Sequence, residues 1–193
     1  MMMAYDGGPR ERLRTATGSA HARVDACFPH GLDGDAAYRR YLRGMHALVD
    51  AVETGIAAAR LDARWEPWRH PQRVEWLCAD LEALQAGPMP AGPGLALADA
   101  AQVAGALYVI EGSALGATQL LRDALGLGWT PAQGARFLDG HGGSGAGKRW
   151  RDYVHCLEGA CFGAHDEQAM FDAAARTFAY AEHEFLRAAQ HRD

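Results

Sequence analysis

The chain has 193 residues, 49% of them hydrophobic and 22% charged, enough to bury one sizeable core; its formal charge of -5 supplies no general basic field for nucleic acid or an anionic membrane. Its four cysteines, Cys27, Cys78, Cys156 and Cys161, form no CxxC pair, and the opening MMMAYDGGPRERLR lacks the apolar core of a secretion signal. No apolar run approaches the roughly 20 residues that span a bilayer, so the expectation is a cytoplasmic protein acting on a small molecule, with no nucleic-acid or membrane partner.

The apolar spacing is helical nearly throughout. Pro9, suited to a first helical turn, precedes RERLRTATGSAHARVD, where Leu13, Ala16, Ala20 and Val24 make one stripe. After the turn FPHGLDGD, Ala36 to Arg60 places Tyr38, Tyr41, Leu42, Met45, Leu48, Val49, Val52 and Ile56 at spacings of three and four. A third helix is expected from about Gln72 to Gln85, with Val74, Leu77, Leu81 and Leu84 inward, stopped by GPMPAGPG. The fourth spans Ala98 to Leu125. Thr130 and Pro131 read as N-cap and first turn of a short helix reaching Leu138. Helical spacing resumes at Lys148 with Trp150, Val154 and Leu157, and a last helix, Asp166 to His191, carries Phe171, Phe178 and Phe185. The expected architecture is a compact, single all-α domain over residues 1–193, of seven or eight helices, with about the first eight residues flexible.

Several segments invite a chemical reading. GGSGAGKR, Gly142 to Arg149, nearly matches the phosphate-binding GxxxxGK[ST] loop, but Arg149 stands where a Ser or Thr would reach Mg²⁺ and no buried strand precedes it. A flexible connection remains, as does a basic patch of Lys148, Arg149 and Arg151 at a helix start, suited to an anionic ligand. In HCLEGACFGAH, Cys156 and Cys161 point about 140° apart on a helix and fit no common zinc spacing, which leaves two buried thiols and two surface histidines, His155 and His165.

The first helix aligns Arg14, His21 and Asp25 on one side. A carboxylate one turn from a histidine holds its second ring nitrogen, and an arginine two turns away pairs with a ligand carboxylate, an arrangement suited to an axial metal ligand. A lone helical histidine is otherwise a surface or hydrogen-bonded residue. The fourth helix, in GALYVIEGSALGATQLL, carries Gly105, Gly112 and Gly116 within roughly 40° of one another, although each glycine costs about 0.5–1 kcal/mol in a helix interior. Either a flat ligand or a close helix crossing accounts for that face.

LRTATGSAH with Asp25 resembles the proximal-helix motif LRxxTxxxHxxx[ED] of the haem oxygenase family, and YVIEGSALGA resembles its distal GSxxG motif. The order of the motifs and the helical layout extend the resemblance over most of the chain, with the bacterial branch associated with bacteriophytochromes the most similar. It implies an all-α fold that sandwiches haem between a proximal and a distal helix, and oxidative opening of haem to biliverdin with release of CO and iron. The reaction requires O2 and electrons from an external donor such as a ferredoxin or a reductase, and the biliverdin would serve a bacteriophytochrome. His21 then matches the iron ligand, Asp25 its hydrogen-bonding partner and Arg14 a basic residue facing a propionate. Gly112 and Gly116 match the distal glycines at which the helix bends over the haem. Arg151, with Lys148 in the same basic segment, falls near a second propionate-binding position, and Phe178 is similar to a pocket phenylalanine of the last helix while equally fitting the core. Ser113 departs from the aspartate that many members carry to organise distal water. That departure motivates a rival reading, a non-catalytic haem carrier or sensor on the same fold; an all-α module that binds no haem is a further rival.

Overall fold

The computed structural model describes residues 7–69 and 73–191. The flexible stretch expected at the start falls mainly on residues 1–6, and the expected first residue of the third helix is Gln72; both lie outside the described residues. Seven α-helices are present among the described residues: α1 (Pro9–Asp25), α2 (Asp35–Ala58), α3 (Arg73–Ala83), α4 (Ala100–Gly126), α5 (Arg136–Gly142), α6 (Ala146–Glu158) and α7 (Ala164–Gln190), with a 3-10 turn at Glu66–Arg69. The only β pairing among them is a few isolated bridges. No helix among the described residues is long and apolar enough to cross a membrane.

α7 is the central strut, packed against α1, α2 and α4, while α4 also carries α5 and α6. The stripe of α2 is buried as its spacing requires, from Tyr38 through Ile56, and Phe185 of α7 lies so close to Gly44 that an added Cβ would fall 2.2 Å from its ring. α4 and α7 approach most closely at Gly105, where a Cβ would lie 2.1 Å from the Met170 carbonyl oxygen. Only glycine admits backbone contact of that kind. Asp99 caps α4 by accepting from the Gln102 amide at 3.1 Å.

Three expectations are corrected. In α1 the stripe runs through Thr17, which is buried, while Ala16 is exposed; the Thr17 hydroxyl satisfies itself by donating to the Leu13 carbonyl at 2.7 Å. Thr130 does not cap a helix. Its amide and carbonyl exchange hydrogen bonds with Gln133, closing a turn that ends at Gly134 with φ +88, where a Cβ would fall 2.6 Å from the Trp129 ring. The short helix begins later, at Arg136, because its cap comes from another element: the Asp80 carboxylate of α3 accepts from the amides of Arg136 at 2.9 Å and Phe137 at 2.7 Å. Finally, the glycine-rich segment is mostly helical, with Gly142 closing α5 and Ala146 opening α6, so Lys148, Arg149 and Arg151 all sit on a helix.

Candidate functional site

A cavity of about 710 Å³ opens between α1 and α4. Tyr41, Met45 and Leu48 of α2, Phe178, Ala181 and Phe185 of α7, and Trp150 of α6 line it further, so most of its surface is apolar or aromatic. An apolar cleft with a few convergent polar groups is the usual form of a small-molecule site.

On the α1 wall, His21 Nδ1 lies 3.2 Å from the Asp25 carboxylate, and both side chains are largely exposed into the opening. A carboxylate only accepts, so this pair places the ring proton on Nδ1 and leaves the Nε2 lone pair for a ligand. The ring stands perpendicular to that of Phe178, with centroids 5.6 Å apart. Arg14 lines the same opening and is paired with Glu11 at 3.0 Å, an exposed contact of small energy that a stronger anionic partner would displace. One turn earlier Arg10 joins it, its guanidinium 6.0 Å from the Trp150 ring centroid. Tyr108 lies between these residues, and its phenol is pushed up chiefly by burial, against the lowering effect of Thr17, Arg10 and Arg14.

The α4 wall is Gly112, Ser113 and Gly116. A Cβ on Gly116 would meet no atom within 4 Å, and one on Gly112 would meet only the Trp150 ring, at 3.6 Å. No neighbouring helix therefore requires these two glycines, in contrast to Gly105. Through them α4 remains a continuous α-helix.

Behind Ser113 lies a buried polar network. The Ser113 hydroxyl is 2.9 Å from Nε2 of His141, which is wholly buried; Nδ1 of His141 is 3.2 Å from the Arg149 guanidinium. Arg149 also reaches Glu111 at 3.2 Å, and the fully buried Glu111 is paired on its other oxygen with Arg73. Burial, with two guanidinium groups nearby, holds His141 well below the usual histidine range, so the ring is neutral at ordinary pH.

The structure thus gathers His21, Arg14, Asp25, Gly112, Ser113, Gly116 and Phe178 around one cavity, and leaves two basic residues out of its lining. Lys148 is paired with Asp152 at 2.7 Å on an exposed face, and Arg151 is exposed on α6. The basic patch is split, since Arg149 turns inward. The expectation of two buried thiols is corrected as well: Cys156 is half-buried and Cys161 exposed. Sequence reasoning missed Arg10, whose spacing of four from Arg14 was a usable signal, and His141, which sits in a glycine-rich segment with no apolar period to mark it.

Comparison with known proteins follows the same line. The family model described as heme oxygenase matches residues 93–186, which contain α4 to α6 and most of α7. The fold is similar to that of the heme oxygenase from Neisseria meningitidis, studied in its NO- and CO-bound crystal forms for oxygen activation, with a TM-score of 0.79, 24% identity, and 96% of this chain and 94% of that chain covered. No curated protein sequence gives a significant match.

Proposed function

We propose, from the matched segment and the shared fold, that the chain is a member of the heme oxygenase family, that it binds haem between α1 and α4, and that it opens it to biliverdin, releasing CO and iron, with O2 and electrons from an external donor such as a ferredoxin or a reductase. The observation that carries this reading is the pairing of an α1 wall that offers His21 Nε2 with an α4 wall on which Gly116 faces space that no protein atom claims and Gly112 has only the Trp150 ring within reach. The residues fit a flat iron macrocycle. Apolar side chains from α2 and α7 cover its faces, glycine backbone allows close approach, and the arginines at the opening suit carboxylates.

When bound, haem supplies both the redox-active iron and the ring that is consumed. The contributions of this chain are separate. Asp25 fixes the ring of His21 and keeps Nε2 a neutral imidazole donor, which drives O–O cleavage less strongly than a thiolate. Arg10 and Arg14 anchor carboxylates at the opening and so set which ring edge is turned inward. Met45, Leu48, Phe178 and Phe185 keep bulk water off the faces. Biliverdin would serve a bacteriophytochrome, a reading supported by the resemblance of the two motifs to that branch.

The test is addition of haemin to the purified chain, followed by a reductant in air. Loss of the Soret band with growth of biliverdin absorbance is the expected outcome. Stable binding without ring loss would replace this reading with the non-catalytic carrier or sensor that Ser113 suggests. His21→Ala is expected to abolish the histidine-ligated ferric spectrum while changing stability by less than about 0.5 kcal/mol, because the side chain is exposed.

A further inference from the structure

Behind the α4 wall, the haem reading leaves one set of buried groups without a task. A guanidinium only donates, so the approach of Arg149 to His141 Nδ1 at 3.2 Å makes that nitrogen an acceptor and puts the ring proton on Nε2. The Nε2–H then donates to Ser113 Oγ, 2.9 Å away. With that lone pair engaged, the Ser113 hydroxyl is the donor at the end of the chain, and its proton rests on the Ile110 carbonyl at 2.8 Å. Rotation about the Cβ–Oγ bond turns the proton toward the cavity, which Ser113 lines, without moving the oxygen away from His141. The wall behind it is positive: Arg73 and Arg149 share the single carboxylate of Glu111. Glu53, which faces Arg73, is held up at about 7 by burial, so near neutral pH it offsets only part of that charge. Aligned donors in a buried network polarise one another, and the excess charge favours an anion at the open end.

We propose that Ser113 donates a hydrogen bond to a small anionic or oxygen-bearing ligand held on the Gly112 side of the haem, and that His141 is the positioning residue that makes it a donor. The inference rests on the haem reading and answers the difficulty posed by serine in place of aspartate. A carboxylate would accept from water; this serine, held by His141 and Arg149, donates a hydrogen bond instead.

Two measurements test it. In the haem-free protein, ¹⁵N NMR of the His141 ring is expected to show the neutral Nε2–H form, and an Nδ1–H or cationic ring overturns the proposal without touching the haem reading. In the haemin-loaded protein, fluoride is the probe, since it is anionic and a strong hydrogen-bond acceptor. Its affinity is expected to fall roughly tenfold or more in Ser113→Ala and in His141→Leu. It should be retained in Ser113→Thr and in His141→Gln, whose amide still donates to Oγ and accepts from Arg149. Affinity of the reduced complex for CO, a neutral and poor acceptor, should stay unchanged in all four variants. Equal fluoride affinity in the parent and Ser113→Ala overturns the proposal, and because Ser113 is only half-buried that variant keeps the test open if His141→Leu does not fold. Failure of the unsubstituted chain to take up haemin overturns both readings, and is recognised by a missing Soret band rather than by an altered fluoride affinity.

Discussion

The two halves of α4 share a helix, a phase and a residue type, yet they use glycine in opposite ways. Up to Glu111 nearly every residue is buried, and Gly105 is needed because a Cβ would strike the Met170 carbonyl oxygen at 2.1 Å and the Ala174 amide nitrogen at 2.9 Å. Beyond it only Ala114, Ala117 and Ala124 are buried, and Gly116 faces open cavity. One glycine removes a clash between helices; the other holds space for something that is not protein. Phase around a helix groups such residues, but only the atoms across from each of them separate the two meanings.

The comparison yields graded expectations. At the boundary between the halves, Glu111→Leu takes the shared carboxylate from the buried Arg73 and the half-buried Arg149, and is expected to cost about 3–5 kcal/mol, read as a lower denaturant midpoint. Gly105→Ala should cost about 1–3 kcal/mol by overpacking against the α7 backbone; a variant as stable as the parent would remove the distinction between the halves.

Next comes the pH response of the network. Folded His141 stays neutral where an ordinary histidine, with a value of 6.5, takes a proton. Below that pH the unfolded chain therefore binds more protons than the folded one, and stability is lost as pH falls, by about 1.4 kcal/mol per unit. Glu53 has the opposite sign, because its raised value of about 7 against 4.5 makes the folded chain the greater proton binder in that window. The measurement is thus the difference between His141→Gln and the parent, in which the Glu53 contribution cancels and the acid loss belonging to His141 should vanish from the variant. A smaller effect, of opposite sign, belongs to Gly116→Ala, which should raise the stability of the haem-free protein by about 0.5–1 kcal/mol through helix propensity while weakening haemin uptake. Loss of both would show that the open space at Gly116 has another purpose.

The long helices were legible because burial on one side of a helix leaves a period in the sequence, as the residues from Tyr38 to Ile56 in α2 show. α5 was not, because its cap, Asp80, is supplied from α3, more than fifty positions away, and Thr130 carried a local cap signal that a turn absorbed instead. On the site, His21, Asp25 and the distal glycines could be found by spacing within single helices. His141 could not. Its position depends on α5 being held by Asp80 and on Arg149 turning inward, which are contacts between elements. The same holds for Lys148, whose charge is legible but whose partner, Asp152, directs it to the outer face of α6.

α1 has only three buried residues, Leu13, Thr17 and Ala20, among its seventeen, and its polar ties to α7 are the Arg12–Glu167 pair and the Arg23–Glu182 pair at 2.9 Å. The second of these is the more exposed, a kind of pair that contributes about 0–1 kcal/mol. The helix that carries His21 is therefore seated by few buried side chains, and local opening there is a route into the cavity that spares the rest of the core. A ligand that bridges His21 and the α4 wall supplies the contact surface that α1 lacks. Held at a hundred times its dissociation constant it adds about 2.7 kcal/mol, so the bound molecule acts as a latch, turning a loosely docked helix into part of the core for as long as it stays.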